Sequence, residues 1–293
     1  MLRNVVSFAM TATIFLAIIA IFRSTANPPK ENRSPVPGVK GHYPYAKPKN
    51  ALWNPPKPKT PANDEAPADR LIIKSRLENE DLSWLDRLPQ IWKKSIITID
   101  NDFARLHENA ARVDRGRVAD AYLRWIIENY NKLPETMVFL PPENQPSTSG
   151  ARIRSEIPKL RVPFIQSSGF APLKCPSVEM CEKLIRPFHS PPYELRTMEE
   201  PMGNVWKQLF GEDKMREDLA TLPSAELAVS KAQVQKRSVD EYLKVWTWLN
   251  KTIMDDDSAG LVIEYLWPFL FGKDALFCPD FRKCECETYE RCS

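Results

Sequence analysis

The sequence is poor in the residues and motifs that mark common catalytic sites. It has only 3 histidines, His42, His107 and His189, and none lies at metal-ligand spacing from a cysteine or another histidine. It contains no G-x-S-x-G, P-loop or G-x-G-x-x-G segment, which argues against the usual hydrolase, NTPase and dinucleotide sites. Its formal net charge of +3 gives no reason to expect a nucleic-acid partner.

Glycine is scarce, at 9 residues, whereas there are 27 prolines, many of them between residues 28 and 67. Each proline removes a backbone donor and disfavours helix at the residue before it. We therefore predict a disordered, Pro-rich stem over residues 23–69, which acts as a semi-rigid spacer. The alternative is a Pro-rich ligand for a recognition domain.

An apolar run without a charged residue covers residues 5–22. As a helix it is roughly 27 Å long, near the lower limit for crossing a bilayer core. We predict a transmembrane signal anchor here, preceded by a short cytosolic tail at residues 1–4. The small residues Ser24 and Ala26 keep open the alternative of a cleaved signal peptide. The membrane is the partner that this run implies; the sequence identifies no protein partner.

The six cysteines decide the expected compartment, because disulfides persist in the secretory lumen and are rare in the cytosol. We predict a lumenal or extracellular domain over residues 70–293, with sequons at Asn32 and Asn250 as glycosylation sites. The C-terminal cysteine spacing does not match that of structural zinc sites. The cysteines predicted to form disulfides are Cys175, Cys181, Cys278, Cys284, Cys286 and Cys292. We expect Cys175 to pair with Cys181, and Cys278 and Cys292 to take Cys284 and Cys286.

Strand and helix patterns alternate after residue 70. Residues 71–74, 95–99 and 136–140 read as strands, and apolar residues at helical spacing over 117–132 predict a helix. Strand, helix and strand in this order indicate a βαβ unit and an α/β domain. We expect a long loop over 141–163, a short helix over 204–210 and a strand over 225–229.

Two further helices are expected near the C-terminus. Over residues 238–252, Ser238 and Glu241 have the spacing of a capping box ahead of an apolar stripe. Residues 261–271 read as a buried helix that Pro268 kinks or breaks.

Acidic residues are the candidates for chemistry. Asp255 and Asp257 form a D-x-D pattern that can hold Mn²⁺ or Mg²⁺ and neutralise a diphosphate; the alternative is an exposed acidic loop before a helix. Glu264 lies among apolar residues, so it is either a catalytic acid or base with a raised pKa or the partner of a basic residue such as Arg117 or Arg124. Asp81 is a catalytic or ligand-binding candidate, with a role at a helix N-terminus as the alternative.

Five blocks, at residues 80–88, 116–140, 169–181, 226–249 and 258–292, occur in the order typical of one family. The chain resembles a fungal-rich family, domain of unknown function 3431, over residues 71–292. That resemblance implies an architecture but no reaction. It also implies histidines after the strand at 136–140 and within the helix at 261–271, where this chain has Pro141 and Pro268.

Residues 226–249 are also similar to the later part of GT-A-type nucleotide-sugar glycosyltransferases. This similarity implies a single three-layer, GT-A-like domain behind the anchor and stem. Three hypotheses follow: a glycosyltransferase-like membrane glycoprotein with a degraded site, a non-catalytic accessory protein, and a small-molecule-modifying protein of a fungal secondary-metabolite pathway. The missing histidines are the reason that no enzymatic activity is assigned.

Overall fold

A five-stranded mixed sheet lies at the centre of the fold, with strand order β2-β1-β3-β6-β4. The computed structural model describes residues 54–60, 67–77, 80–99, 116, 118–143, 148–177, 199–211, 218–252, 254 and 256–292. All of them lie in a unit formed by residues 41–293. The described residues confirm the α/β class, with a central sheet and packed helices.

The described residues form seven β-strands and eight α-helices. In chain order, the strands are β1 (Arg70–Arg76), β2 (Trp92–Thr98), β3 (Thr136–Leu140), β4 (Phe170–Pro172), β5 (Ala220–Thr221), β6 (Leu227–Ser230) and β7 (Leu276–Phe277). The α-helices are α1 (Ala119–Asn129), α2 (Thr148–Glu156), α3 (Val162–Ser168), α4 (Glu199–Phe210), α5 (Lys231–Val234), α6 (Val239–Lys251), α7 (Asp256–Leu270) and α8 (Phe281–Tyr289). Three 3-10 turns cover Ser83–Arg87, Tyr130–Lys132 and Ile157–Lys159.

Strands β1, β2 and β3 are parallel, whereas β6 runs antiparallel between β3 and β4. Side chains alternate between the two faces of the sheet. Ile73, Phe139 and Leu227 join the larger core, to which α1, α4, α6 and α7 contribute. Ile72 and Val138 face a second core built with α2, α3 and the tyrosine at the end of α8. The central strands are therefore covered on both faces.

Several elements predicted from the local sequence pattern are confirmed. The helix expected over 117–132 is α1 with a following 3-10 turn, and the strand expected over 136–140 is β3. Helix α6 begins at the capping box, in which Ser238 Oγ accepts from Glu241 N and Glu241 accepts from Ser238 N.

Two expectations about helices are wrong. The segment 141–163 contains α2 and the start of α3, where a long loop was expected. The helix expected over 261–271 is α7, and it continues past Pro268 to Leu270, so the expected break is wrong, whereas a kink at Pro268 stays a prediction. Pro268 has no N–H to donate to Glu264 O, so α7 lacks one hydrogen bond in its last turn. The neighbouring Trp267 and Leu270 are buried in the larger core, and their packing favours the helix.

The N-terminal predictions fall mainly outside the described residues, and the predicted anchor at 5–22 lies entirely outside them. Among the described helices, none combines the length and apolar character needed to cross a membrane. Part of the predicted stem contacts the domain: Lys59 N donates to Glu128 O of α1 at 2.8 Å, and Lys59 Nζ lies 2.7 Å from Glu128 Oε2.

Disulfides bind the C-terminal helix to the rest of the domain. Cys284 of α8 pairs with Cys175, which follows β4, and the two Cα atoms are 5.7 Å apart. Cys286 pairs with Cys292. Cys278 is also disulfide-bonded, to a partner outside the described residues. Disulfide bonding is thus confirmed for Cys175, Cys278, Cys284, Cys286 and Cys292, and the Cys286–Cys292 bond agrees with the expectation that Cys292 takes Cys284 or Cys286. The expected Cys175–Cys181 pair is wrong, because Cys175 is bonded to Cys284.

The expected pairing of Cys278 within the tail is also wrong, because Cys284 and Cys286 are bonded elsewhere. The expected pairs joined cysteines that lie close together in the sequence and would have closed short loops. The helix α8, which was not expected, instead turns Cys284 toward β4 and Cys286 toward the chain end, since residues two apart on a helix face different sides.

We predict that the long disulfide stabilises the fold more than the short one. The Cys175–Cys284 bond spans a sequence separation of 109 residues and the Cys286–Cys292 bond spans 6. Loop-closure entropy gives losses in unfolding free energy of about 5 kcal/mol for Cys175→Ser with Cys284→Ser, against about 2 kcal/mol for Cys286→Ser with Cys292→Ser. Denaturant unfolding of the two double variants measures both losses; equal losses would contradict the assignment of the long bond as the main constraint on α8.

Gly169 ends α3 with a φ of +82°, and a Cβ there would clash with the side chain of Gln233. Gly211 has a similar φ of +76°, but no atom of the described residues lies within 4 Å of a Cβ built on it. We expect Gly211→Ala to cost about 1 kcal/mol of unfolding free energy through backbone strain. Gly169→Ala should cost about 1–3 kcal/mol more, because Gln233 must also move. Denaturant unfolding compares the two, and indistinguishable losses would show that the Gln233 contact is unimportant.

Candidate functional site at the carboxyl edge of the sheet

The chain changes direction within the sheet between β1 and β3. From β1 it passes to β2 on one side, and it then returns to β3 on the other side of β1. In open α/β sheets, ligands bind beyond the carboxyl ends of the strands at such a switch point. Because β6 is antiparallel, its amino end lies at this same edge and brings Glu226 there.

A buried ion pair occupies the switch point. Lys74 of β1 lies opposite Leu140 of β3, and its Nζ donates to Pro141 O at 2.6 Å and to Glu80 Oε1 at 2.5 Å. The side chains of Lys74 and Glu80 are only 2% and 8% exposed. The ammonium group therefore joins the carboxyl ends of β1 and β3 directly.

The carboxylate of Glu80 has partners on three segments. Besides Lys74, it accepts from Leu77 N at 3.2 Å and from Glu143 N at 3.0 Å. A buried charge is stable only when it is paired and hydrogen-bonded, and this one is. Burial lowers the pKa of Lys74, and the hydrogen bond and charge of Glu80 oppose that shift.

Arg152 of α2 organises a second charged group at the same edge. Its guanidinium donates to the carboxylates of Glu156 and Glu226 and, at 2.8 Å, to Leu173 O beyond β4. Burial works against the charge of Arg152, but the carboxylates of Glu226 and Glu156 outweigh it and raise the pKa of Arg152. Burial raises the pKa of Glu226, and Arg152 opposes this.

The C-terminal residues complete this group. Arg291 Nη1 donates to Glu156 Oε1 at 3.1 Å and to Glu285 Oε2 at 2.6 Å. Tyr289 OH donates to Leu173 O at 2.6 Å. Helix α8, held by its disulfide, thus covers the far side of the Arg152 group.

A narrow pocket opens beside Glu226, between the ends of β4 and β6 and the last turn of α7. Phe170, Trp267 and Phe277 contribute aromatic walls, and Ser224 and Glu226 are its polar side chains. The lining is therefore mostly apolar.

The residues predicted to be catalytic lie in different surroundings. Asp81 is exposed, and its carboxylate accepts from Ser83 N at 2.9 Å and Ser83 Oγ at 3.0 Å. These hydrogen bonds lower the pKa of Asp81, and the bond from the backbone two residues on is that of an Asx turn. Glu264 is half-buried on α7, on the other face of the sheet, where its charge adds to the burial that raises the pKa of Tyr122.

The D-x-D pattern stays a prediction. Asp255 lies outside the described residues, and only the backbone of Asp257, in the first turn of α7, is described. Over the described part of the chain, no three His, Cys, Asp or Glu side chains are placed to hold a metal ion together.

The structure argues against the glycosylation predicted for Asn250. Its side chain is buried, and Nδ2 donates to Asp120 Oδ1 at 2.8 Å and to Trp246 O at 3.1 Å. A glycan would replace one of the two N–H groups that make these hydrogen bonds, and the burial of the side chain leaves no room for it. The other predicted acceptor, Asn32, lies outside the described residues.

Sequence reasoning missed four residues of this edge: Lys74, Glu80, Arg152 and Glu226. A faint signal existed for Lys74, a charge ending the apolar run of β1, and for Glu226, the residue before β6. No local pattern indicates a functional role for Arg152, because the segment around it is rich in proline and serine, a composition that predicts a loop.

Comparison with known families identifies the chain. Residues 72–287 match the family described as "Protein of unknown function (DUF3431)", so the chain belongs to that family. No curated protein and no solved structure matches it. Membership fixes no reaction, and the chemistry of the edge rests on the contacts above.

We predict that Glu80→Gln destabilises the fold by about 3 kcal/mol at neutral pH, because it leaves the buried Lys74 ammonium without its counter-charge. The control is Glu135→Gln. Glu135 lies 3.0 Å from Lys231 in a pair whose side chains are 51% and 31% exposed, and its loss should cost less than about 1 kcal/mol. Denaturant unfolding measures both; similar costs would show that the buried pair has no special importance.

The loss in Glu80→Gln should also shrink as pH rises. Without Glu80, burial lowers the pKa of Lys74 further below its ordinary value of 10.5. Between the lowered Lys74 pKa of the folded variant and the ordinary lysine pKa of the unfolded chain, the folded state binds fewer protons than the unfolded chain. The stability of the variant therefore increases with pH in this range. Wild type gains in the same way only at higher pH, because Glu80 opposes the lowering of the Lys74 pKa, so the gap to wild type should narrow once pH passes the lowered pKa of Lys74 in the variant. A gap that stays constant as pH rises from neutral would contradict the placement of Lys74.

Proposed function

We propose that this family member is a non-catalytic accessory protein with a glycosyltransferase-like layout. The observation that carries the proposal is the Lys74 ammonium, held 2.5 Å from Glu80 and 2.6 Å from Pro141 O at the switch point. The switch point is the position at which α/β sheets usually bind a ligand. In this protein the ion pair of Lys74 and Glu80 occupies that position. We call the site degraded because the order of the strands is kept, while the ligand position at the switch point is filled by side chains of the protein.

The charges around the switch point support the same reading. A diphosphate would need basic groups with open donors, yet Arg152 and Arg291 are each bound to two carboxylates, and Arg154 lies 2.6 Å from Glu143. Adding a phosphate would set its charge against this row of glutamates, which is unfavourable.

We place the domain in the secretory lumen, tethered as a single-pass membrane glycoprotein by residues 5–22. The disulfides support this, since such bonds persist in oxidising compartments, and the uncharged run at 5–22 suits an anchor. Asn32 is the glycosylation site that fits this placement, because it precedes the folded part.

The test is a thermal-unfolding and turnover screen of the full chain against nucleotide sugars with Mn²⁺ or Mg²⁺. The proposal predicts that no nucleotide sugar raises the unfolding temperature of the protein and that no sugar is transferred. A ligand present at about 100 times its Kd would stabilise the protein by about 2.7 kcal/mol, which is readily detected.

The contradicting outcome is specific. Stabilisation that requires Mn²⁺ and disappears in Asp255→Ala with Asp257→Ala would show an active glycosyltransferase site at the D-x-D pattern. Asp81→Ala with Asp86→Ala is the control for a general effect of removing two acidic residues.

A further inference from the structure

We propose that the Cys286–Cys292 disulfide is a redox-sensitive latch: a dithiol opens it selectively, and its opening releases Arg291 from the carboxylates of Glu156 and Glu285. The inference uses only bonds and contacts at the C-terminal end of the domain, so it does not depend on the proposed function. It rests on the different burial of the two disulfides and on the position of Arg291 between the bonded cysteines.

The two disulfides differ in their access to solvent. Cys175 and Cys284 are only 7% and 3% exposed, whereas Cys292 is exposed and Cys286 is half-buried. A reducing thiolate must reach a sulfur atom, and exposed disulfides are the labile ones. The buried bond can be attacked only after α8 has moved away from the segment that follows β4. Access therefore favours reduction of the Cys286–Cys292 bond first.

The stability that each bond gives to the fold favours the same order. The Cys286–Cys292 bond spans a sequence separation of 6, against 109 for the Cys175–Cys284 bond. A short loop constrains the unfolded chain less than a long one, so the fold protects the short bond less against reduction. The long bond still attaches α8 to the rest of the domain when the short bond is open.

Arg291 lies inside the loop that the short bond closes. Its Nη1 donates to Glu156 Oε1 at 3.1 Å and to Glu285 Oε2 at 2.6 Å, and the side chain of Glu156 is only 5% exposed. Because Arg291 precedes Cys292 directly, the disulfide keeps the guanidinium beside these carboxylates. An open bond removes this covalent restraint.

The backbone at the end of α8 also depends on the bond. Glu290 has a φ of +61°, in the left-handed region, which is unfavourable for a residue with a Cβ. Glu290 N donates to Cys286 O at 3.0 Å and Arg291 N donates to Glu285 O at 3.2 Å. We expect this strained helix end to open when the bond to Cys292 no longer holds it.

Release of Arg291 changes the charge at this edge of the sheet. In the oxidised protein, Arg152 and Arg291 share the carboxylates of Glu156, Glu226 and Glu285. In the reduced protein, Arg152 alone stays beside Glu156 and Glu226. The reduced form therefore presents a more acidic edge than the oxidised form, and this difference is what the latch controls.

The opening reaction is a thiol–disulfide exchange in which the dithiol supplies two electrons and two protons. One thiolate of the reductant attacks the exposed sulfur of Cys292, the S–S bond breaks, and Cys286 leaves as a thiolate that takes up a proton. The second thiol of the reductant then attacks the mixed disulfide. This step releases Cys292 as a thiol and leaves the reductant as its own disulfide.

The experiment titrates the native full chain with dithiothreitol, blocks free thiols by alkylation, and reads the four cysteines of the two bonds by peptide mass spectrometry. We expect Cys286 and Cys292 to be alkylated at least about tenfold faster than Cys175 and Cys284. Circular dichroism at each dithiothreitol concentration follows the fold, which should persist while only the short bond is open.

Hydrogen exchange on the same samples tests the release of the chain end. The N–H groups of Glu290 and Arg291 should exchange about tenfold faster after reduction. Cys284 N, which donates to Asp280 O at 2.8 Å in the first turn of α8, should stay protected. Cys286→Ser with Cys292→Ser should show the fast exchange without reductant and no further change on adding it.

One variant tests the coupling between Arg291 and the bond. Arg291→Gln keeps the disulfide but removes the ion pairs with Glu156 and Glu285, so the bond should open at about fivefold lower dithiothreitol. Arg282→Gln, at an exposed position of the same helix, is the matched control and should open like wild type.

Three results would overturn the proposal. The first is alkylation of Cys175 and Cys284 as early as that of Cys286 and Cys292, or loss of the fold when only the short bond opens. The second is unchanged exchange at Glu290 and Arg291 after reduction. The third is a bond that opens no more easily in Arg291→Gln than in Arg282→Gln.

Discussion

The carboxylate of Glu80 is the constraint on which the functional edge depends. It receives Lys74 from β1, the backbone of the turn that follows β1, and the backbone of Glu143 after β3. Two buried charges at the end of a hydrophobic strand are unfavourable unless every donor and acceptor is matched. Here they are matched, so the pair fixes how the chain leaves both strands and fills the switch point.

The rest of the edge is arranged around this filled position. Arg152 joins α2 to β6 and to the residue after β4, and Arg291 joins α8 to the same group. The Cys175–Cys284 disulfide holds α8 in place on that side. Charges neutralised in this way stabilise a surface rather than attract a phosphate.

Features with local causes were predictable from the sequence, and those with distant causes were not. The capping box of α6 and the buried strand β3 are encoded within a few residues, and both were predicted. Helix α2 depends on partners far along the chain, because Arg152 binds Glu226 and Ile153 packs into the second core. Lys74 and Glu80 are six positions apart, so their pairing needs the turn between them. The predicted partner of Cys175 was wrong for the same reason: its bond to Cys284 follows from where α8 docks.

The central claim is that Lys74 is enclosed at the switch point, and amine acetylation of the native full chain tests it most directly. Lys93, on the adjacent strand β2, is exposed and serves as the internal reference. Peptide mass spectrometry follows both lysines over time. The account predicts that Lys93 is acetylated readily, while Lys74 reacts only as fast as the protein unfolds. Acetylation of Lys74 at the rate of Lys93 in the folded protein would contradict it.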